Sequence, residues 1–234
     1  FISNTSVGFC GTRAILANAP NIQLSNINVR SVSMAGVASP IVEFGANAID
    51  GQISNMTTFT TGDSIVANYA VLVNNAAIRR EAPIAEVSLD AWRDTLGVVL
   101  DGAFFCAQAA LPWLRQSPSG AVINIGGLTA HTGAKNRPHV VTAKAGLVGL
   151  TRALAHDLAP HITVNCVSPG MIDTPRNSAT VSGTPNHHAQ HHPLMARRGT
   201  VDEVAAMVAW LAGSQARFVT GQVMHVNGGT YLGS

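Results

Sequence analysis

The chain has 234 residues, 47% of them hydrophobic, which is the size and composition of one α/β domain with a single large core. Its net charge of +2 gives no electrostatic case for nucleic acid or an anionic membrane, and no apolar run reaches the ~18 residues of a membrane span. Cys10, Cys106 and Cys166 lie in apolar contexts without the spacing of a disulfide or a zinc site, so free thiols in a reducing cytoplasm are expected.

Strand and helix patterns alternate along the chain, which predicts a parallel sheet with helices on both faces. Phe1-Ile2 reads as the end of a first strand already in progress, with no signal-peptide pattern, and a helix follows from about Phe9 to Ala17. Ile22 to Ile27 reads as the second strand, Ser33 to Phe44 as a weakly patterned helix and Ala48 to Ile53 as the third strand. Ala70 to Val73 is short and wholly apolar, as a buried parallel strand should be. Ser88 is a good N-cap for a long helix reaching about Gln116, with Leu89, Trp92, Leu96, Val99, Leu100 and Phe104 at helical spacing. Ala121 to Ile125 is the fifth strand, Pro138 to Leu158 a second long helix and Ile162 to Val167 the sixth strand. Thr200 caps a helix over Val201 to Leu211, and Val223 to Val226 is the last strand. No repeat or linker divides residues 1–234, so one domain is expected, with a mobile excursion around 175–199 that is rich in Pro, Asn, His and Ser. Charge is sparse: 11% of the chain against a usual ~25%, with five charged residues and ten Asn in residues 1–78. Cover by partner subunits or an unusually divergent sequence would each account for it.

Three short motifs carry the chemistry. Asn74-Asn75-Ala76-Ala77 follows the buried fourth strand, where small residues let backbone approach a ligand. Ile125-Gly126-Gly127-Leu128-Thr129 follows the fifth strand and precedes a helix bearing Lys144-Ala145-Gly146. Ser168-Pro169-Gly170-Met171-Ile172-Asp173-Thr174-Pro175 follows the sixth. In open parallel sheets, ligands sit at these carboxyl ends of the strands.

Together these motifs resemble the short-chain dehydrogenase/reductase family, firmly from about Val71 to Gly233 and loosely before. The resemblance implies a Rossmann-like, doubly wound, seven-stranded parallel sheet in a single domain. It also implies hydride transfer between a nicotinamide cofactor and a small carbonyl or secondary alcohol. The family's phosphate-binding turn corresponds to Ser3-Asn4-Thr5-Ser6-Val7-Gly8-Phe9-Cys10, with Ser3, Asn4 and Gly8 as contacts. After the second strand, Asn26 and Arg30 stand where ribose selectivity is set. With no acid there, Arg30 favours NADP, and NAD stays open. Asn55-Met56 falls near the adenine, and Asn74 and Ala76 beside the cofactor. Lys144 is implied to bind the nicotinamide ribose, and Pro169, Gly170, Ile172 and Thr174 to meet the carboxamide.

The family's catalytic Tyr, Ser and Asn correspond to Val140, Gly127 and Val99, so Lys144 is the one member of that set present. Thr129 and His139 are the nearby substitutes able to offer a hydroxyl or titrate near neutrality. A catalytically impaired member, binding a nucleotide or a protein partner, is the alternative reading. His187, His188, His191 and His192 form two i,i+4 pairs without a carboxylate or thiolate among them, so no metal site is expected. The resemblance further implies a cytoplasmic homotetramer or homodimer, with no nucleic-acid or membrane partner.

Overall fold

The computed structural model describes residues 27–32, 41–46, 56–60, 70–173 and 192–233. Its centre is a five-stranded sheet in the order β3 (Met56–Thr60), β4 (Ala70–Asn74), β5 (Gly120–Ile125), β6 (Ile162–Pro169), β7 (Val223–Val226). The last four run parallel, and β3 joins β4 antiparallel. β1 (Ile27–Val32) and β2 (Ile41–Ala46) form a separate antiparallel pair.

Among the described residues four of the seven expected parallel strands are present, with an antiparallel strand and a hairpin beside them. The composition accounts for the latter two. Strands buried on both faces are continuously apolar, as Val71-Leu72-Val73 is. Ile27-Asn28-Val29-Arg30 and Met56-Thr57-Thr58-Phe59-Thr60 interleave polar residues, the pattern of strands covered on one side. The helix expected over Ser33 to Phe44 is overturned at its end, where Ile41-Val42-Glu43-Phe44 lies in β2. These β-branched and aromatic residues suit a pleated surface better than a helix. Arg30 thus pairs with Glu43 in mid-strand, not beyond a strand end, and Met56 pairs in register with Asn74. The expected strands at Phe1-Ile2 and Ala48 to Ile53 and the helix near Phe9 lie outside the described residues.

From β4 onward the expected elements are found with their ends moved by at most two residues. Successive residues of a strand face opposite sides of the sheet. Leu72, Val122 and Val164 pack with Ala107 and Leu114 of α2 (Gly102–Gln116) and Ala155 and Leu158 of α4 (Pro138–Leu158). Val71, Val73, Ala121, Ile123 and Val167 face the other way, against Leu211 of α5 (Val201–Ala212). Helices so cover both faces, and the strand tips are left as the open edge.

The Ser88 Oγ accepts the Ala91 N–H and starts α1 (Leu89–Leu96). A π-helical stretch, Gly97–Asp101, joins α1 to α2. By length and composition an 18-residue window of this 28-residue run, with a mean hydropathy of 1.4, is apolar enough to cross a membrane, although Asp101 and Arg115 interrupt it. The helix nevertheless lies on the sheet through Ala103, Ala107 and Leu114, while Phe104 and Phe105 stay exposed in edge-to-face contact. Thr200 and Glu203 form a reciprocal capping box at the start of α5.

Ala196 sits at φ +54, a left-handed conformation in which a Cβ crowds the backbone. Ala196→Gly is expected to raise stability by about 0.5–1 kcal/mol, the strain relieved less the added freedom of the unfolded chain. Urea unfolding at constant m-value measures it.

Candidate active site at the strand tips

Three tips converge. Asn74 ends β4, and its amide donates to the Asn124 Oδ1 at 2.8 Å. The Asn124 amide donates to the Thr151 Oγ1 at 2.9 Å, and that hydroxyl donates to the Leu147 carbonyl at 2.8 Å. All three side chains are buried. Two strands are thereby bolted to the middle of α4 by a saturated polar chain in a dry core.

Beyond β5, the Gly126 N–H donates to the Val167 carbonyl at 2.8 Å and the Leu128 N–H to the Pro169 carbonyl at 3.1 Å, tying this turn to the tip of β6. A Cβ on Gly126 would meet the Cys166 Sγ at 2.7 Å, so only glycine permits this approach. One residue on, a Cβ at Gly127 would meet none of the described residues within 4 Å. Among those residues, space for a side chain is open there.

Lys144 projects from the first half of α4. Its Nζ donates to the Ile125 carbonyl at 2.6 Å, and the residue is only 8% exposed. Among the described residues it pairs with no carboxylate. Burial pulls its pKa down from the ordinary lysine range to about 8; Cys166 acts against that shift and Arg79 adds to it. Burial also pushes the Cys166 thiol up to about 11, with the Gly126 N–H and the Lys144 charge acting the other way, so that thiol stays protonated.

Val140 lies four residues before Lys144, one helical turn away on the same face, and is buried. Val99 is buried within the π-helical stretch. His139 is five residues from Lys144, about 140° round the helix. It is 1% exposed, neither ring nitrogen has a hydrogen-bond partner among the described residues, and burial with Arg80 and Arg137 lowers its pKa. Thr129 opens the short α3 (Thr129–Thr132) and is half-buried. His131 stacks on Tyr231 at 5.2 Å and meets the edge of His225 at 4.7 Å, a contact with the last strand that sequence reading did not foresee.

The Pro-Gly turn after β6 is held in place from β7: the Gly170 N–H donates to the Val226 carbonyl at 2.9 Å, and a Cβ on Gly170 would come within 2.6 Å of the Asn227 Cα. Ile172 bridges to Gly199. Ser168, 0% exposed, has a hydroxyl without a partner among the described residues. Met171, at the turn, also lines a cavity of about 500 Å³ with Met207, Trp210 and Val226. Ala76 is half-buried just past the β4 tip. Ser3, Asn4, Gly8, Asn26, Asn55 and Thr174 lie outside the described residues, and of Arg30 and Met56 only the backbone register is described.

A family model described as enoyl-(acyl carrier protein) reductase matches residues 5–231. The chain belongs to the short-chain dehydrogenase/reductase family. It is 38% identical over 163 residues to the 3-oxoacyl-[acyl-carrier-protein] reductase FabG of Staphylococcus aureus, a match covering 69% of this chain and 66% of that protein. Among solved structures it resembles a short-chain dehydrogenase/reductase (glucose/ribitol dehydrogenase) from Brucella melitensis, with TM-score 0.63, 36% identity and coverage of 70% and 65%. It also resembles a blue fluorescent protein from a metagenomic library in complex with NADPH, with TM-score 0.62, 37% identity and coverage of 69% and 65%. The chain thus spans just under two thirds of the length of the relatives it matches.

Two outcomes follow from the site's energetics. Asn124→Ala removes both links of the polar chain and leaves Asn74 and Thr151 short of a partner. It is expected to cost about 2–4 kcal/mol in urea unfolding. Lys144 has a folded pKa near 8 against an ordinary 10.5, so between these values the unfolded chain binds more protons and stability rises with pH. Unfolding measured at pH 8 and pH 10 should show a gain that Lys144→Met lacks.

Proposed function

We propose that this chain is an NADP-dependent oxidoreductase that interconverts a small carbonyl compound and a secondary alcohol. The observation that carries this reading is the Lys144 ammonium, buried at the β5 tip with one bond to a backbone carbonyl. An ammonium has three N–H donors. Two are left, one for a hydroxyl of a nicotinamide ribose and one for a substrate oxygen, with Gly126, Gly127 and Ala76 the small residues beside them. The residues described therefore fit the nicotinamide end of the cofactor. Membership of the family supports the reading, as do a FabG relative named as a reductase and a related structure holding NADPH. Arg30 lies opposite Glu43 within β1, so the preference for NADP rests on the NADPH held by that related structure.

In this reading the cofactor supplies or accepts the hydride. Lys144 binds the ribose, Asn74 and Ala76 border the cofactor, and Pro169, Gly170 and Ile172 present backbone to its carboxamide. Ser3, Asn4, Gly8, Asn26, Asn55, Met56 and Thr174 complete the cofactor set on the strength of the family pattern. Thr129, two residues past the open position at Gly127, is the nearest hydroxyl for a substrate oxygen, with His139 the alternative titrating group. The exposed Phe104 and Phe105 on α2 support assembly as a homotetramer or homodimer, in the cytoplasm.

A second reading is favoured by Val140, Gly127 and Val99: a family member that binds the nucleotide without turning it over. A positioned general acid contributes ~10²–10⁴-fold and an oxyanion donor ~10²–10³-fold, so their loss leaves activity low even if the fold is intact. The test is NADPH oxidation at saturating cofactor over a panel of small aldehydes and ketones. The wild-type chain should turn over slowly, and Val140→Tyr with Gly127→Ser, which refills the open position, should raise kcat at least ~10²-fold. NADPH binding with no turnover in either protein would establish the second reading instead.

A further inference from the structure

We propose that Lys144 is itself the general acid and base of the reaction, standing in for the missing tyrosine; this rests on the oxidoreductase reading above. Position singles out this amine. Val140 shares a helical face with Lys144 and can exchange no proton. His139 lies about 140° away round α4, and the charges it feels are those of Arg80 and Arg137. The Cys166 thiol, on β6, is held protonated. Thr129 and Ser168 carry alcohols, which bond an oxygen but do not release a proton near neutrality. His131, on α3, has its ring packed on Tyr231 and His225. That leaves, among the described groups at the β5 tip, an ammonium fixed by the Ile125 carbonyl two residues before the open position at Gly127.

The environment suits the task. Lys144 faces Cys166 from β6 and Arg79 from the segment after β4, with no carboxylate among the described residues to hold its proton. Burial brings its pKa to about 8, close to the range in which a lysine both donates and accepts near neutral pH. In reduction, the carbonyl carbon gains a hydride from a dihydronicotinamide and the C=O π bond breaks onto oxygen. One Nζ–H bond breaks, the new O–H bond forms, and the amine is left neutral until solvent protonates it. Oxidation of the alcohol runs the same transfers backwards from the neutral amine. The bond to Ile125 keeps the nitrogen at the strand tip in either state.

Three measurements on the full chain test this. The first needs no turnover: an NMR titration of labelled lysine side chains, with Lys144 assigned from the Lys144→Arg variant, should find one amine titrating near pH 8. The second is the pH profile of kcat/KM for carbonyl reduction, which should fall above about pH 8 with the loss of one proton. Lys144→Arg keeps the charge but does not deprotonate in this range. It should lower turnover ~10²–10⁴-fold and erase that limb. Should arginine not be accommodated, the third applies: Lys144→Ala should recover turnover with added ethylammonium, in proportion to the added acid.

An amine titrating above pH 10, an unchanged alkaline limb in Lys144→Arg, or no rescue of Lys144→Ala would overturn the proposal while leaving the oxidoreductase reading in place. Absence of any turnover in the wild-type chain, with NADPH bound, would remove both.

Discussion

The Asn74–Asn124–Thr151 chain is the constraint on which the site depends. It fixes the tips of β4 and β5 to the middle of α4, and so sets the rotation of that helix about its own axis. A helix packed by apolar contacts alone can turn by a few tens of degrees at modest cost, because a smooth core tolerates repacking. Buried amides cannot turn with it without losing their partners, each worth about 1–3 kcal/mol. Thr151 therefore points at the sheet, and Lys144, two turns earlier, is delivered to the Ile125 carbonyl.

That placement explains why a charged group is tolerated at the core's edge. Desolvating an ammonium without a counter-ion is unfavourable, and the lowered pKa of Lys144 expresses that cost. One carbonyl bond offsets a part of it. Strain of this kind is usual where a protein needs a group for chemistry more than for stability. The neighbouring positions have moved the opposite way. Val140, Gly127 and Val99 are comfortable in an apolar core or an open turn, and none of them asks for a partner. On the proposed reading, the charged group of the site is present while these three positions offer neither a proton nor a hydrogen bond.

Legibility in the sequence varied along the chain for physical reasons. Pro138 to Leu158 and Val223 to Val226 were read with the bounds the structure has, because a proline at the helix start and a short apolar run fix the ends locally. The caps at Ser88 and Thr200 were legible for the same reason. Residues 27–60 misled: Ile41 to Phe44 was read as the end of a helix, and the strands at Ile27–Val32 and Met56–Thr60 went unread because polar residues interrupt their apolar runs. Lys144 was legible from its spacing to Gly127. Its lost solvent and its bond to Ile125 were not, since both depend on contacts 19 residues apart. Asn124 gave a signal that went unread, a lone amide inside Val122-Ile123-Asn124-Ile125, but its partners Asn74 and Thr151 lie 50 and 27 residues away. The His131–His225–Tyr231 ring cluster was likewise beyond local pattern.

The central claim is that the cleft at the strand tips transfers hydride to a carbonyl carbon. Incubating the chain with NADPH deuterated at the nicotinamide C4 and a reactive prochiral ketone, then analysing the alcohol by mass spectrometry, tests this without relying on a rate. The account predicts one deuterium at the carbinol carbon of a single enantiomer. An undeuterated or racemic alcohol, or none at all from a chain that binds NADPH, would contradict it.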